Sequence, residues 1–179
     1  IYKLSNVLRR AMRNTDNFAP LRDELAFIDD YLAIEMVRFG EKLGFSREID
    51  SNTLDIMVPS MILQPIIENS IKHGLAGKID GGTIWLRASL VGEDEPKRLL
   101  LVVEDDGEGI PEEKMEDLFA VNPTGNSGIG VSNVRQRLEV FFTDSYRMSI
   151  DSKLGQGTRT EIDIPATKDA ASRSSAGAF

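Results

Sequence analysis

The stretch QPIIENSIKHG, residues 64–74, decides the fold of this 179-residue chain. As a helix with 3.6 residues per turn, it has one apolar side and one polar side. The apolar side, with the two residues before the stretch, contains Ile62, Leu63, Ile66, Ile67, Ser70 and Ile71. The polar side contains Gln64, Glu68, Asn69 and Lys72. A helix with a buried back therefore presents a carboxylate, an amide and an ammonium group together.

The polar side of this helix suits a metal ion and phosphate groups. The amide oxygen of Asn69 is a neutral hard ligand for Mg²⁺ that already carries phosphate charge, and Lys72 is a point charge for phosphate. The alternative is an ordinary amphipathic helix. In that case Lys72 and His73 complement the C-terminal dipole, and Gly74 is the left-handed cap.

A second candidate element is VVEDDGEGI, residues 102–110, where an apolar strand runs into two glycines. The carboxylate of Asp105 at the strand end can accept a hydrogen bond from an exocyclic amine. Gly107 and Gly109 allow the backbone to approach a flat ring. The alternative is a tight Asp-Gly turn, which is common.

Two further glycine-rich segments follow. Residues 124–133, TGNSGIGVSN, run from a flexible stretch into a helix whose free N–H groups form an anion site. Residues 112–127 resemble a mobile lid more than a packed element. Residues 155–158, Gly-Gln-Gly-Thr, are typical of a hairpin turn.

The rest of the chain alternates strands and helices. We expect a helix over residues 21–39 with one apolar stripe, Leu21, Leu25, Ile28, Leu32, Met36 and Phe39, and Asp23, Glu24, Asp29, Asp30 and Arg38 opposite. The last helix is expected at 131–142. Alternation predicts half-buried strands at 84–90, 147–151 and 158–164. The continuous apolar run 99–103 predicts a central strand covered on both faces.

Before the sheet, residues 1–14 also have helical spacing, so residues 1–42 predict a helical hairpin. Such a hairpin cannot hide both stripes, which favours packing on a second copy of the chain. The alternative is packing on the chain's own core. We expect the α/β domain to span residues 43–165 and the tail, residues 166–179, to be disordered.

Composition limits the functions available. A net charge of -8 argues against a nucleic-acid surface, which needs clustered Lys and Arg. The absence of cysteine excludes a disulfide framework and thiolate chemistry, and it favours a cytoplasmic location. No apolar run is long enough to cross a bilayer, so a membrane is expected only through segments upstream of Ile1.

Taken in this order, the motifs resemble the GHKL superfamily of gyrase, MutL and sensor histidine kinases. Glu68 and Asn69 match its N box, residues 105–109 its G1 box, 128–130 its G2 box and 155–158 its G3 box. Residues 64–74, 128–138 and the preceding segment LRDELAFIDDYL, residues 21–32, are most similar to LytS-like histidine kinases.

The resemblance implies an α+β fold: a two-layer α/β sandwich of the Bergerat type, with a mixed, largely antiparallel sheet covered on one face by helices. ATP would lie under a lid, with Mg²⁺ on Asn69 and the adenine amine on Asp105. Glu68 would assist as a base or orient water or metal. The nucleotide-binding residues would be Asn69, Lys72, His73, Asp105, Gly107, Gly109, Ile110, Gly128, Ile129, Gly130, Val131, Asn133 and Thr158.

In such kinases the γ-phosphoryl group of ATP passes to a histidine and then to a response-regulator aspartate, within a homodimer formed by the N-terminal helices. The acceptor motif, of the Asn-Pro-His-Phe type, is absent here, and His73 belongs to the N box. We therefore expect the acceptor histidine upstream of Ile1, and no autophosphorylation by the fragment alone. Pro65 also differs from the Asn or Glu of many relatives outside the LytS-like group.

Two alternatives remain at this point. One is a GHKL ATPase of another class or an anti-sigma-type serine kinase. The other is a non-catalytic nucleotide-binding module that mediates dimerisation.

Overall fold

The computed structural model of the protein describes residues 17–93, 96–118 and 129–168. The helix expected at residues 1–14, the lid residues 119–127, Gly128 and most of the tail lie outside the described residues. The strands are β1 Phe18–Pro20, β2 Leu43–Ile49, β3 Met57–Pro59, β4 Gly82–Val91, β5 Arg98–Asp105, β6 Arg147–Lys153 and β7 Gly157–Pro165. The helices are α1 Leu21–Phe39, α2 Gln64–Asn69, α3 Glu112–Leu118 and α4 Ile129–Phe142, and a π-helix, Ser70–Leu75, continues α2. Two short 3₁₀ turns occupy Gly40–Lys42 and Ser51–Thr53.

The main sheet has five strands in the order β2-β4-β5-β7-β6. The β2-β4 pair is parallel, and the other three pairs are antiparallel. A separate antiparallel pair, β1-β3, lies beside it. The expected mixed, largely antiparallel sheet is therefore confirmed, together with the β6-β7 hairpin.

Strand β5 is central, as its apolar run predicts, but the helices of the described residues cover only one of its faces. Leu101 and Val103 belong to the core beneath the helices. On the other face, Val102 is 5% exposed because charged side chains lie over it. Its cross-strand neighbours are Arg87 and Glu161. The second face is therefore covered at Val102, as expected, but by the stems of charged residues rather than by a helix.

The apolar stripe of α1 packs on the chain's own core. Leu21, Leu25, Ile28 and Leu32 belong to the same buried cluster as the sheet, whereas Met36 at the helix end is 39% exposed. For this helix, the alternative of packing on the chain's own core is what the structure shows. The dimerising role of residues 1–42 stays a prediction.

Glu24 on α1 is buried. From the sequence we expected it on the exposed polar side of this helix, opposite the apolar stripe. Its carboxylate accepts hydrogen bonds from the backbone N–H groups of Met61, at 2.7 Å, and Ile62, at 3.1 Å. A weaker bond comes from Leu63, at 3.5 Å. Burial raises the pKa of Glu24, and these N–H groups together with the charge of Arg137 lower it. The carboxylate acts as a long-range cap for the start of α2.

The segment before α2 is held from a second side. Arg137 on α4 donates to the carbonyl oxygen of Ser60. Met61 adopts φ 60°, a left-handed conformation that is costly for a side chain of this size. Contacts from α1 and α4 therefore hold the turn that aims α2.

Two further expectations need correction. Gly74 lies inside the π-helix and has no positive φ, so it is not a left-handed cap. The tail is ordered at its start, because Ala166 donates to Lys97 and Thr167 accepts from Met57. Among the described residues, each helix is too short or too polar to cross a membrane.

Replacing Glu24 with Ala should lower the free energy of unfolding by about 3 kcal/mol, because three backbone N–H groups lose a charged acceptor in a buried position. Urea denaturation measures this difference. Glu41→Ala removes an exposed carboxylate and should stay within about 0.5 kcal/mol of the parent chain. Equal losses for the two variants would show that Glu24 is not a structural cap.

Candidate functional site

A cavity of about 310 Å³ opens between the π-helix, the end of β5, the β6-β7 hairpin and the start of α4. It contains residues from all four candidate motifs of the sequence. Its volume is at the lower end of the range for small-molecule sites. The fold thus brings together segments that are far apart along the chain.

Asp105 lies in the wall of this cavity and is 4% exposed. Ser70 Oγ donates to its Oδ2 at 2.7 Å, and the N–H of Gly107 donates to its Oδ1 at 2.9 Å. Burial raises the pKa of Asp105, and these two hydrogen bonds, together with the nearby backbone of Thr158, lower it. Because a carboxylate has about four lone-pair positions, it retains the capacity for a further donor.

Close packing explains the glycines beside Asp105. A Cβ atom on Gly107 would lie 2.5 Å from the Cα of Gly74 and 2.6 Å from Oδ1 of Asp105. Gly109 has φ 69°, and its Cβ would lie 2.1 Å from the carbonyl oxygen of Lys153. The protein's own contacts therefore require these glycines, besides any approach of a ligand ring.

Asn69 at the end of α2 lies against the first turn of α4. A Cβ atom on Gly130 would lie 3.2 Å from Nδ2 of Asn69 and 3.4 Å from Cβ of Pro65. The amide of Asn69 therefore stands at the cavity wall beside the N-terminal end of a 14-residue helix. This arrangement places a neutral oxygen ligand next to a positive helix end.

Glu68 and Lys72 lie outside the cavity wall. Gln64 Nε2 donates to Oε1 of Glu68 at 2.7 Å, and Nζ of Lys72 lies 3.3 Å from Oε2 of Glu68. Burial is the main cause that raises the pKa of Tyr31 on α1, and the negative charge of Glu68 raises this pKa further. The structure therefore places Glu68 on the side of α2 that faces α1.

About half of the candidate binding residues from the sequence analysis line this cavity. Those lining the cavity are Asn69, His73, Asp105, Gly109, Ile110, Val131 and Thr158. Gly107 and Gly130 pack directly behind this wall. Asn133 is exposed on α4, and the backbone of Ile129 begins that helix. Gly128 lies outside the described residues.

Several lining residues were missed: Ser70, Glu108, Lys114, Ile150, Leu154 and Thr160. Ser70 carried a usable signal, because a hydroxyl among isoleucines on a buried helix face needs a polar partner. Lys114 was missed because residues 112–118 form the helix α3, whereas the sequence suggested a lid without packed structure. Ile150 and Thr160 enter the site through the β6-β7 register.

Comparison with known proteins agrees with this geometry. Residues 55–168 match the sequence model of the histidine kinase-, DNA gyrase B- and HSP90-like ATPase family, and residues 1–43 match that of the histidine kinase family. The sensor histidine kinase YesM of Bacillus subtilis is 28% identical over 94% of this chain. The sensor protein LytS of Staphylococcus saprophyticus is 28% identical over 92% of it. The chain spans 28% of the length of each of these two relatives.

A solved structure has the same fold. The histidine kinase domain of the blue-light activated kinase EL346 from Erythrobacter litoralis is 25% identical, with a TM-score of 0.60. The alignment covers 84% of this chain and 63% of that one. The expected fold and the resemblance to LytS-like sensors are confirmed.

The raised pKa of Asp105 predicts a pH-dependent stability. As the pH falls from 7 toward about 4, the ordinary pKa of aspartate, the folded state takes up the proton before the unfolded state does. The free energy of unfolding should therefore shift in favour of the parent chain relative to Asp105→Asn, by about 1.4 kcal/mol for each unit of raised pKa.

Urea denaturation at a series of pH values measures this shift. Asp80→Asn, on an exposed turn, is the reference for loss of one carboxyl group. A shift in favour of Asp105→Asn as the pH falls would contradict the assignment, because it would mean that the hydrogen bonds outweigh burial.

Proposed function

The chain belongs to the histidine kinase-, DNA gyrase B- and HSP90-like ATPase family, and we propose on that premise that it is the ATP-binding catalytic part of a two-component sensor histidine kinase. The observation that carries the proposal is Asp105. It is a buried carboxylate that accepts hydrogen bonds from Ser70 and Gly107, and it lies in the wall of a cavity of about 310 Å³.

We assign the adenine ring to the Asp105 end of the cavity. The exocyclic amine of adenine would donate to Asp105, which has capacity for one more donor. Ile110, Val131 and Ile150 supply apolar surface in the same cavity for the flat ring. A buried acceptor of this kind discriminates strongly, because a base with a carbonyl group at that position leaves it unpaired.

The phosphates would lie toward Asn69 and the start of α4. The free N–H groups and the positive end of that helix favour anions. Six further residues would lie at this end of the site: Lys72, His73, Gly128, Ile129, Gly130 and Asn133. Lys72 would need to leave its ion pair with Glu68, which costs little because the Lys72 side chain is 57% exposed.

Asn69 is the proposed Mg²⁺ ligand, and its environment fits that role. Its amide is a hard neutral ligand beside an anion-favouring helix end, so the phosphate oxygens and water would supply the other ligands. When bound, Mg²⁺ would offset the negative charge of the triphosphate. Gly130 leaves space beside the Asn69 amide, since a Cβ atom there would lie 3.2 Å from Nδ2 of Asn69.

In the proposed reaction, a histidine nitrogen bonds to the γ-phosphorus as the bond to the β-phosphate bridging oxygen breaks, and ADP leaves. The acceptor histidine would lie upstream of this chain, because His73, the one histidine present, is in the N box. The contribution of this chain would be to position the nucleotide and to stabilise the charge that develops on the phosphoryl group during transfer. Glu68 would act as a base or orient water or the metal ion.

The family match of residues 1–43 favours a histidine kinase over another GHKL ATPase, a serine kinase or a module without turnover. We propose that the whole protein is a homodimer through its N-terminal helices and passes its phosphoryl group to a response regulator. Its catalytic part would lie in the cytoplasm, with any membrane contact through upstream segments.

The adenine assignment predicts that Asp105→Asn weakens ATP binding at least tenfold, because a hydrogen bond to a charged group contributes about 1.5–3 kcal/mol. Inosine triphosphate, in which a carbonyl replaces the amine, should bind the parent chain more weakly than ATP by a similar factor. Isothermal titration calorimetry measures both.

Asp106→Asn is the matched control, since the neighbouring carboxylate bonds to the N–H of Thr83 rather than lining the cavity. Equal affinity of the parent chain for ATP and inosine triphosphate would overturn the adenine assignment. Absence of binding to either nucleotide would overturn the proposed function itself.

The kinase assignment predicts that the longer protein, including its upstream region, forms an acid-labile and base-stable phosphoprotein with γ-labelled ATP and Mg²⁺. Asn69→Ala should lower the rate of labelling at least tenfold through loss of a metal ligand. Release of inorganic phosphate without any phosphoprotein would instead favour an ATPase.

A further inference from the structure

A second cavity, of about 300 Å³, lies on the far side of the π-helix from the nucleotide cavity. It is formed by the end of α1, the start of β2, the π-helix and the turn before β4. Three cationic residues line it: Arg38, Lys42 and Lys78. Nothing in the proposed ATP chemistry uses these residues.

Few apolar side chains present surface to this cavity. Phe39 is half-buried, whereas Leu43, Ile71 and Leu75 are almost fully buried in the core behind the cavity. None of its lining residues carries a carboxylate. Three cations in one cavity stand out in a chain with a net charge of -8.

The nearby carboxylates bind these cations weakly. Nη1 of Arg38 lies 3.8 Å from Glu35, with 72% of the Arg38 side chain exposed. Nζ of Lys78 lies 3.7 Å from Oδ1 of Asp106 and also donates to the Asp106 carbonyl oxygen. Glu41 and Asp80 are exposed on the flanking turns. Exposed ion pairs contribute little, so the cations are available to a stronger anionic partner.

We propose that this cavity binds a small organic anion, with a carboxylate or phosphate group among Arg38, Lys42 and Lys78 and an aromatic ring against the half-buried Phe39. Charge-assisted hydrogen bonds from Arg and Lys are the strong ones for such groups.

The two cavities share a wall. Ser70, His73 and Gly74 of the π-helix line the nucleotide cavity, whereas Ile71 and Leu75 line the second cavity. Lys78 is also bonded to the carbonyl of Asp106, next to the adenine-reading Asp105. An anion that draws Lys78 toward itself changes this contact, so its binding is coupled to nucleotide affinity. The anion site is independent of the proposed ATP binding, and only the coupling rests on it.

The binding test uses phenylphosphate as the probe, with the nucleotide cavity filled by Mg²⁺ and a non-hydrolysable ATP analogue. Amide chemical shifts in ¹⁵N-labelled protein are followed up to about 10 mM probe, ten times the dissociation constant of a ~1 mM ligand. We expect saturable shifts at residues 71, 75, 76, 78 and 81. Phenol and benzylamine, the uncharged and cationic counterparts, should produce none there.

Charge removal at the cavity should weaken the probe. Arg38→Gln and Lys78→Gln should each raise its dissociation constant about tenfold, as expected for loss of a charge-assisted hydrogen bond. Arg147→Gln, which removes an exposed cation on β6, should leave it unchanged. The alternative is that the three cations only complement the carboxyl ends of the helices. In that case phenylphosphate will cause no chemical-shift changes at residues 71–81, or changes that Arg38→Gln and Lys78→Gln do not reduce. Either result overturns the site.

The coupling is tested by titrating the ATP analogue, without and with saturating phenylphosphate, by calorimetry. We expect its affinity to change at least threefold, with the same factor in the reciprocal titration because linkage requires it. Lys78→Gln should abolish the change. Binding of the probe without any change in nucleotide affinity overturns the coupling, whereas failure of the nucleotide to bind at all overturns the proposed function and leaves the anion site to the shift test.

Discussion

The hydrogen bonds from the backbone of residues 61–63 to the carboxylate of Glu24 set the position of everything that follows in the site. They attach the start of α2 to α1, a contact between residues 37 positions apart at its nearest. The turn at Met61, with φ 60°, is kept by this anchor and by Arg137 on the other side. Because α2 continues into the π-helix, the anchor orients the helix that contributes the most residues to the nucleotide cavity.

Asp105 depends on that orientation. Its carboxylate is buried, and burial is tolerated because Ser70 from the π-helix and the N–H of Gly107 donate to it. The same bonds that join the helix layer to the end of β5 also aim the carboxylate into the cavity. The carboxylate of Asp105 therefore serves both the stability of the fold and the proposed recognition of adenine. A displaced π-helix would remove the hydrogen bond from Ser70 and change the orientation of this carboxylate.

The outline of the fold was predictable because local patterns carry it. Alternation located β4, β6 and β7, the stripe of α1 had the right bounds, and the glycine-flanked Asp105 indicated the strand end. Two failures have one cause in common, which is partners remote in sequence. Glu24 has the spacing of the buried stripe, but its charge suggested exposure, and only the backbone near Ile62 supplies the hydrogen bonds that allow it to be buried. Likewise Val102 is covered by side chains of two other strands.

The order of residues along the chain was sufficient for most element types, for the family and for selecting Asn69 and Asp105 as candidates, since periodicity and motif spacing are local properties. Which residues meet was decided by folding. Ser70, His73 and Gly74 of the π-helix enter one cavity, while Ile71 and Leu75 lie behind another. Periodicity assigns residues to the faces of a helix, but it cannot show which remote segment each face meets.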